Sequence, residues 1–221
     1  MVDEVIVGRD LRRVYVTGAG DVVALDAVGV VARRGELTAV AGPSGSGKST
    51  LARIVGCVER PDGGELVFDG APVQDAPTAE RRALRRHRLS VLAAEPLANL
   101  LARFDVAGNV RAMARWRSVE VDVDEALAEV GLEGRGDAAL SHLSGGEQQR
   151  LAVAVAAVGT PLALVADEPT AELDTGSGAL VIETLTGLAA SGTAVLVATH
   201  DAAVLAAAST VVRLDHGRVV A

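Results

Sequence analysis

The 221-residue sequence is poor in the residues that mark several classes of protein. Its one cysteine, Cys57, cannot form an intrachain disulfide, and no group of Cys and His residues indicates a zinc site. Cys57 follows a glycine in an apolar stretch, which favours a buried side chain over a reactive thiol. Aromatic residues make up only 2% of the chain, and no apolar run reaches the roughly 18 residues of a membrane span.

Basic residues are also fewer than acidic residues. The chain has 21 Lys and Arg against 29 Asp and Glu, which gives a formal net charge of −8. Because duplex-binding proteins present a basic face, we expect no nucleic acid among the main partners. The arginine-rich residues 78–88 fit either a nucleic-acid patch or a solvated helix face whose side-chain stems cover apolar neighbours. No aromatic residue interleaves there for base stacking, which favours the solvated face.

The amino terminus, MVDEVIVGRD, carries early acidic residues and lacks the basic segment of a signal peptide. The sequence therefore predicts a cytoplasmic protein whose link to a membrane runs through another subunit. A hydrophobic content of 49% and this chain length predict one well-packed domain.

Strands and helices alternate along most of the chain. A β-rich opening at residues 11–41 contains a turn at residues 18–20. Helical stretches broken by glycines predict a helical insert at about residues 94–140. The later pattern predicts an α/β sheet with helices on both faces, with elements at residues 145–158 (helix), 162–166 (strand), 176–190 (helix), 193–199 (strand) and 211–220 (hairpin).

A glycine-rich loop, GPSGSGKST, occupies residues 42–50. It fits the pattern G-x-x-x-x-G-K-[ST], lies directly after an apolar strand and precedes a helix. Its glycines let backbone N–H groups point at phosphate oxygens, and the helix amino terminus adds its dipole. Lys48 is expected to contact the β- and γ-phosphates, and the Ser49 hydroxyl to contact Mg²⁺. A purely structural turn is improbable with lysine and serine so placed.

An apolar strand later in the chain ends in two adjacent carboxylates, Asp167 and Glu168. Acids at the end of a buried strand are costly to desolvate, so they need a cation or a chemical role. Asp167 can hold Mg²⁺ through water, and Glu168 can accept a proton from an attacking water as general base. The pair is weak evidence alone and strong evidence beside a phosphate loop.

The segment LSGGEQQR occupies residues 143–150. Ser144 stands where a helix N-cap would, and S-G-G-E fits a capping box. Gly145 and Gly146 let the backbone approach an anion, at which the following helix directs its positive end. Both properties can hold together. Because Lys48 already marks one phosphate site, a second one indicates that it serves the nucleotide of a neighbouring chain.

Together these motifs resemble those of the ATP-binding cassette family, and their order and spacing agree over nearly the whole chain. The phosphate loop, LSGGEQQR and the acidic strand end correspond to the family's Walker A, signature and Walker B motifs. The resemblance implies a P-loop NTPase core with a mixed sheet flanked by helices, an amino-terminal antiparallel β subdomain and a helical insert. We expect one domain, residues 1–221, with its core at about 1–93 and 141–221 and its helical subdomain at about 94–140.

The resemblance also implies a role for each motif residue. Tyr15 sits where the family keeps an adenine-stacking aromatic, His200 resembles the switch histidine that hydrogen-bonds the γ-phosphate, and Asp174 lies in a D-loop that crosses the dimer interface. The implied ATP contacts are Tyr15, Gly42, Pro43, Ser44, Gly45, Ser46, Gly47, Lys48, Ser49 and Thr50. The implied contacts to the partner chain's ATP are Ser144, Gly145, Gly146 and Glu147, the metal ligands are Ser49 and Asp167, and the catalytic residues are Glu168 and His200.

The function implied is that of an ATPase with ATP and Mg²⁺ as cofactors. It would act as a homodimer or paired cassette on a transmembrane permease, at the inner face of the cell membrane. The stretch YVTGAGDVVALDAV resembles cassettes of the lipoprotein-releasing and macrolide-export type. Two alternatives stay open: a soluble cassette that does not transport, and a regulatory nucleotide-binding module with little turnover.

One position departs from the family pattern. An apolar strand before the helical insert usually ends in glutamine, which touches Mg²⁺ and couples nucleotide to the permease; here that position is Ala94. Glu95 is adjacent, but strand alternation would point it the other way. The resemblance therefore implies nucleotide binding more firmly than it implies turnover and coupling.

Overall fold

The computed structural model describes residues 3–18 and 20–220. Ala19 of the predicted turn lies outside these residues, as do Met1, Val2 and Ala221 of the predicted domain. In chain order the elements are β1 (Glu4–Thr17), β2 (Gly20–Arg33), β3 (Leu37–Ala41), α1 (Lys48–Val55), β4 (Gly63–Phe68), β5 (Ala71–Pro72), α2 (Thr78–His87), β6 (Leu89–Leu92), α3 (Val106–Arg117), α4 (Val123–Ala128), α5 (Gly145–Ala157), β7 (Ala163–Asp167), α6 (Thr175–Ala190), β8 (Ala194–Thr199), α7 (Ala202–Ala207), β9 (Thr210–Asp215) and β10 (Arg218–Val220).

The amino-terminal strands form an antiparallel sheet in the order β2-β1-β4-β5. Strand β1 begins at Glu4, so the predicted start of the β-rich segment at residue 11 was too late. The register between β1 and β2 shifts between Gly8 and Leu11, and Asp10 has a φ of 49°. A β-bulge thus carries the strand through a polar segment that resembles a break in the sequence.

The second sheet contains six strands in the order β10-β9-β3-β8-β7-β6. Strands β9, β3, β8, β7 and β6 run parallel, and β10 pairs with β9 in the antiparallel sense. This confirms the predicted mixed sheet with a carboxy-terminal hairpin. The carboxyl ends of β3, β7 and β8 lie side by side, and these ends carry the predicted phosphate loop, acidic pair and histidine.

The central strands are buried on both faces. In β8, Val195 and Val197 pack into one apolar core with the helical insert, α5 and α6, whereas Leu196 and Ala198 pack into another with α1 and the amino-terminal sheet. Near-continuous apolar strands of this kind are typical of parallel sheets covered by helices. Buried apolar layers on both sides therefore fix the positions of the strand ends.

Between β6 and α5 the described chain is helical. It comprises α3, α4 and two short 3-10 helices, Pro96–Asn99 and Leu140–His142. Asn109 is 2% exposed, and its side chain bonds the backbone of Leu101 and Asp105. None of the described helices is long and apolar enough to cross a membrane.

Candidate active site

The phosphate loop is seated between the two sheets. It leaves β3 after Ala41 and enters α1 at Lys48. Gly47 has a φ of 103°, and a Cβ atom there would lie 2.4 Å from the carbonyl oxygen of Ala24 on β2. On the other side, the backbone N–H of Gly217 donates to the carbonyl of Ser46 at 3.0 Å. The loop therefore needs glycine at this close approach.

The Lys48 ammonium group lies inside the loop. It donates to the carbonyl oxygens of Gly42 at 2.9 Å and Pro43 at 3.1 Å, and it lies 3.6 Å from Oε1 of Glu168. Lys48 is only 6% exposed. A buried ammonium held by carbonyls and one carboxylate is a strong electrostatic partner for an incoming anion.

Ser49 in the first turn of α1 lies next to Asp167 at the end of β7. The Ser49 hydroxyl donates to Oδ1 of Asp167 at 3.0 Å. Burial raises the pKa of the Asp167 carboxyl above its usual range, although the Ser49 hydrogen bond opposes this shift. In the described residues no group of three or more His, Cys, Asp and Glu could hold a metal. One carboxylate beside one hydroxyl nevertheless suits Mg²⁺, which keeps several waters and takes its other ligands from phosphates.

Glu168 and His200 meet at the ends of neighbouring strands. Nδ1 of His200 lies 3.0 Å from Oε2 of Glu168 and 3.1 Å from Oε1. Glu168 has a φ of 45°, and its backbone N–H donates to Ala198 at 2.8 Å. A strained backbone held by a neighbouring strand is common where a side chain must keep a set position.

Most of these residues line a cavity of about 640 Å³. Three of the predicted phosphate- and metal-site residues do not line it. Gly42 offers its carbonyl to Lys48, Asp167 accepts from the lining residue Ser49, and the Ser46 hydroxyl is buried without a hydrogen-bond partner among the described residues. The lining residues are Tyr15, Val22, Val23, Ala24, Pro43, Ser44, Gly45, Gly47, Lys48, Ser49, Thr50, Glu168 and His200.

Tyr15 lies on β1, far in the sequence from the two acids, and a network of charged side chains holds it. Its hydroxyl donates to Glu59 at 2.8 Å and accepts from Arg53 at 3.2 Å. The Arg13 guanidinium lies 4.9 Å from the ring centroid. Tyr15 lines the cavity, whereas Arg13 does not.

The predicted capping box is present at the start of α5. The Ser144 hydroxyl accepts from the backbone N–H of Glu147 at 3.2 Å, and Glu147 Oε2 accepts from the Ser144 N–H at 2.8 Å. This N–H bond holds the pKa of Glu147 below its usual range, and Arg135 pairs with the carboxylate at 3.2 Å. The Glu147 side chain thus caps its own helix in this structure.

The signature residues lie outside the phosphate cavity. Gly145 lines a separate cavity of about 510 Å³ together with Ala94, Glu95 and Glu172. Gly146 packs against α6, where an added Cβ would lie 3.0 Å from the Ser177 hydroxyl.

Asp174 of the predicted D-loop is the N-cap of α6. Its side chain accepts from the backbone N–H groups of Gly176 at 2.9 Å and Ser177 at 3.0 Å. These backbone bonds, the one from Ser177 first, hold the pKa of Asp174 below its usual range.

Ala94 and Glu95 follow β6 in a loop rather than in a strand. The strand ends at Leu92, so the expectation that strand alternation turns Glu95 away from Ala94 was wrong. Both residues line the second cavity. Asn99 fixes this loop, because its side chain bonds both the N–H and the carbonyl of Ala93 at 2.8 and 2.9 Å.

The arginine-rich helix α2 uses its guanidinium groups on neighbouring backbone and carboxylates. Arg85 donates to the carbonyl of Cys57, Arg86 to that of Trp116, and Arg88 to the Asp69 carboxylate at 2.5 Å. These guanidinium groups are thus engaged within the chain, which favours the predicted solvated helix face over a nucleic-acid patch.

Sequence reasoning missed two buried polar side chains near the site. Gln149 donates to the carbonyl of Pro169, directly after Glu168, at 2.9 Å. Arg117 donates to the carbonyl of Val158 at 2.6 Å and to the hydroxyl of Ser90 at 2.5 Å. A polar residue next to a continuous apolar run was the only signal for Gln149, and nothing in the sequence marks the partners of Arg117.

A phosphate loop after the central strand of a mixed sheet, with two acids at the end of a nearby strand, defines a P-loop nucleotide-binding protein. The family model described as ABC transporter matches residues 25–171. The chain therefore belongs to the ABC transporter family.

Relatives support the predicted type within the family. The chain is 38% identical over 218 residues to the macrolide export ATP-binding/permease protein MacB 1/2 of Paracoccus denitrificans, covering 96% of this chain and 32% of that protein. It is 37% identical over 215 residues to the lipoprotein-releasing system ATP-binding protein LolD of Chromohalobacter salexigens, covering 94% and 90%. The chain thus spans about a third of the first relative and most of the second. Both names agree with the sequence resemblance, which is confirmed.

A solved structure agrees with the fold. A dimeric ATP-binding cassette in a post-hydrolysis state, bound to ADP and Pi, superposes with a TM-score of 0.89 at 29% identity, covering 97% of this chain and 96% of that one. This confirms the predicted fold class.

Proposed function

We propose that two copies of this chain close head to tail on two molecules of Mg-ATP and that this closure drives a separate membrane permease. One observation carries the proposal: Lys48 and Gly145 line different cavities. A nucleotide in the first cavity can therefore meet a signature segment only from another chain. The family and its dimeric structural relative support the same arrangement.

Within one chain, several residues in or beside the cavity have a proposed task. Backbone N–H groups of the loop and the Lys48 ammonium bind the β- and γ-phosphates, and the adenine stacks on the ring of Tyr15. Ser49 and Asp167 would hold Mg²⁺, which supplies charge neutralisation between the phosphates. Burial raises the pKa of the Asp167 carboxyl, and a bound cation would favour the charged form of this group.

Glu168 is the general base in this proposal, and its contacts suggest how it becomes available. Without nucleotide, its carboxylate bonds both Lys48 and His200. An ATP γ-phosphate carries the same charge sign and competes for both partners. Once Lys48 and His200 bind the phosphate, the Glu168 carboxylate is free to orient water and accept its proton.

An apolar groove on the helical insert fits the permease. It has a volume of about 370 Å³ and is lined by Leu101, Met113, Trp116 and Val155 with two asparagines. Trp116 is 45% exposed and Leu97 is 48% exposed. An amphipathic helix on the inner face of the permease would cover these side chains. Because the MacB relative is named for ATP-binding and permease functions in one protein, such a partner is the occupant we propose.

The relatives' names favour an exporting transporter, located at the inner face of the membrane through its permease. Neither a soluble cassette outside transport nor a regulatory module has a supporting observation of equal weight.

The variant Glu168→Gln tests the proposal. It should bind ATP, hydrolyse it at least a hundredfold more slowly, in keeping with the loss of a general base worth about 10²–10⁴, and accumulate as a dimer. Light scattering with saturating Mg-ATP measures the mass, and ADP is the control ligand that should leave a monomer. Only monomer with Mg-ATP would remove the head-to-tail arrangement.

A further inference from the structure

Gln149 connects the signature helix with the turn that carries Glu168. It lies one helical turn after Gly145 on α5 and is 2% exposed. Its Nε2 donates to the carbonyl oxygen of Pro169 at 2.9 Å. Pro169 directly follows Glu168, so this bond holds the backbone at the general base.

The same turn is held from its other side. The buried Thr170 hydroxyl donates to Oδ2 of Asp201 at 2.7 Å, and Asp201 follows His200. The Glu168 N–H is bonded to β8, and its φ of 45° is one that few side chains adopt. Asp201 caps α7, so the turn is tied to that helix on one side, and the bond from Gln149 ties it to the signature helix α5 on the other.

Gln149 occupies a place where an apolar side chain would otherwise be expected. Leu151 to Ala156 of α5 are all buried, and within the described residues the Oε1 atom of Gln149 is buried without a hydrogen-bond partner. Leaving an acceptor unpaired disfavours the folded state. The polar contact that Gln149 does make is the hydrogen bond from its side-chain N–H to the carbonyl oxygen of Pro169.

We propose that Gln149 is a positioning residue for Glu168 and that it transmits the position of the signature helix to the general base of the same chain. The inference rests on the proposed head-to-tail dimer. There the amino terminus of α5 contacts the nucleotide of the partner subunit, whereas Glu168 acts on the nucleotide of its own chain. Gln149 then links the two ATP sites within one subunit.

The test compares Gln149→Leu and Gln149→Met, which keep the volume and lose the donor, with a matched control. Thr193→Val is that control, because the buried Thr193 hydroxyl donates to the carbonyl of Pro161 at 2.8 Å, at the opposite end of β7. It removes the same kind of bond, a buried side-chain donor to a proline carbonyl just outside β7, without touching Glu168.

Steady-state ATPase kinetics of the purified chain give the decisive values. For the Gln149 variants we expect the ATP concentration at half-maximal rate to stay within about twofold, kcat to fall about tenfold or more, and the Hill coefficient to fall toward 1. Thr193→Val should lower the unfolding midpoint to a similar extent and leave kcat and the Hill coefficient unchanged.

Gln149 variants that match Thr193→Val in kcat and Hill coefficient would overturn the inference, as would a wild type with a Hill coefficient of 1. If Gln149→Leu does not fold, Gln149→Met decides. Dimer formation by Glu168→Gln is measured separately. A dimer there, with neutral Gln149 variants, removes this inference alone, whereas a monomer there removes the proposed function.

Discussion

Lys48 Nζ and Glu168 Oε1 lie 3.6 Å apart at the centre of the phosphate cavity, with side chains 7% and 18% exposed. The proposed phosphate-binding group and the proposed general base therefore pair with each other in the structure without nucleotide. In the proposed mechanism, a γ-phosphate that takes over both this lysine and His200 frees the Glu168 carboxylate, which would couple binding to activation.

Replacement of Lys48 should weaken nucleotide binding while the fold is retained. A charge-assisted hydrogen bond contributes roughly 1.5–3 kcal/mol, so Lys48→Ala should lower ATP affinity about ten- to a hundredfold. Calorimetric titration measures the affinity, and circular dichroism checks the fold. Lys48→Arg is the matched control for charge: in so buried a position its larger planar group should also bind poorly. Unchanged affinity in Lys48→Ala would remove the lysine from its role.

Gly47 and Gly45 should respond differently to a methyl group, although both have positive φ. A Cβ at Gly47 would lie 2.4 Å from a backbone oxygen, whereas nothing lies within 4 Å at Gly45. We expect Gly45→Ala to cost about 1–2 kcal/mol of unfolding free energy through its φ alone, and Gly47→Ala to cost clearly more. Urea unfolding without nucleotide gives both values, and equal losses would contradict the close approach.

A substitution of Ala94 should change turnover only if the loop that carries this residue can move. Asn99 holds that loop through the backbone of Ala93, so a glutamine at position 94 remains in the second cavity. We expect Ala94→Gln alone to change basal turnover by less than about twofold. The double variant Ala94→Gln with Asn99→Ala should raise basal turnover, because the effects of substitutions in one coupled loop need not add. A phosphate-release assay measures both.

The variant Asp167→Asn should be far more damaging to turnover than the Ala94 variants. Asp167→Asn removes the one carboxylate beside Ser49, so Mg²⁺-dependent turnover should fall by at least about a hundredfold, comparable to losing a major electrostatic contact. Without Mg²⁺ and nucleotide the same variant should be no less stable than the wild type, because burial disfavours the charged carboxylate. A large loss of stability on thermal unfolding would contradict the assigned cation site.

Cys57 should make stability fall in alkaline solution. Burial raises the pKa of its thiol to about 11, whereas an unfolded thiol ionises near pH 8.5. Between these values the unfolded chain loses a proton that the folded chain retains, so the unfolding free energy decreases as pH rises, by about 3 kcal/mol at most. Chemical denaturation from pH 8 to 11 should show this slope, and Cys57→Ala should lack it. Equal slopes would show that the thiol is not shielded.

Local patterns predicted most of the site. The phosphate loop, the helix cap at Ser144 and the acids at the end of β7 each depend on neighbours in the sequence, so composition and spacing were sufficient. The start of β1 was misplaced because a bulge at Asp10 has the composition of a turn. The boundaries of the helical insert remain a prediction.

Contacts between distant segments could not be predicted. Gln149 reaches Pro169, and Arg117 reaches Ser90, only because helices pack on the sheet in a particular rotation. Likewise, the loop at Glu95 follows from the early end of β6 and from Asn99, neither of which periodicity reveals. Such bonds are set by tertiary packing, which outweighs local preference.

Lys48 is the sole lysine in the sequence, since the other cationic side chains are all arginine. The Lys48 amine, which we expect to contact phosphate, is therefore the only side-chain primary amine in the sequence. Isotope-labelled lysine observed by NMR would give one side-chain signal, from this cavity, without any substitution. Occupancy of the proposed nucleotide site could then be followed in the unaltered protein, including in the presence of a proposed permease partner.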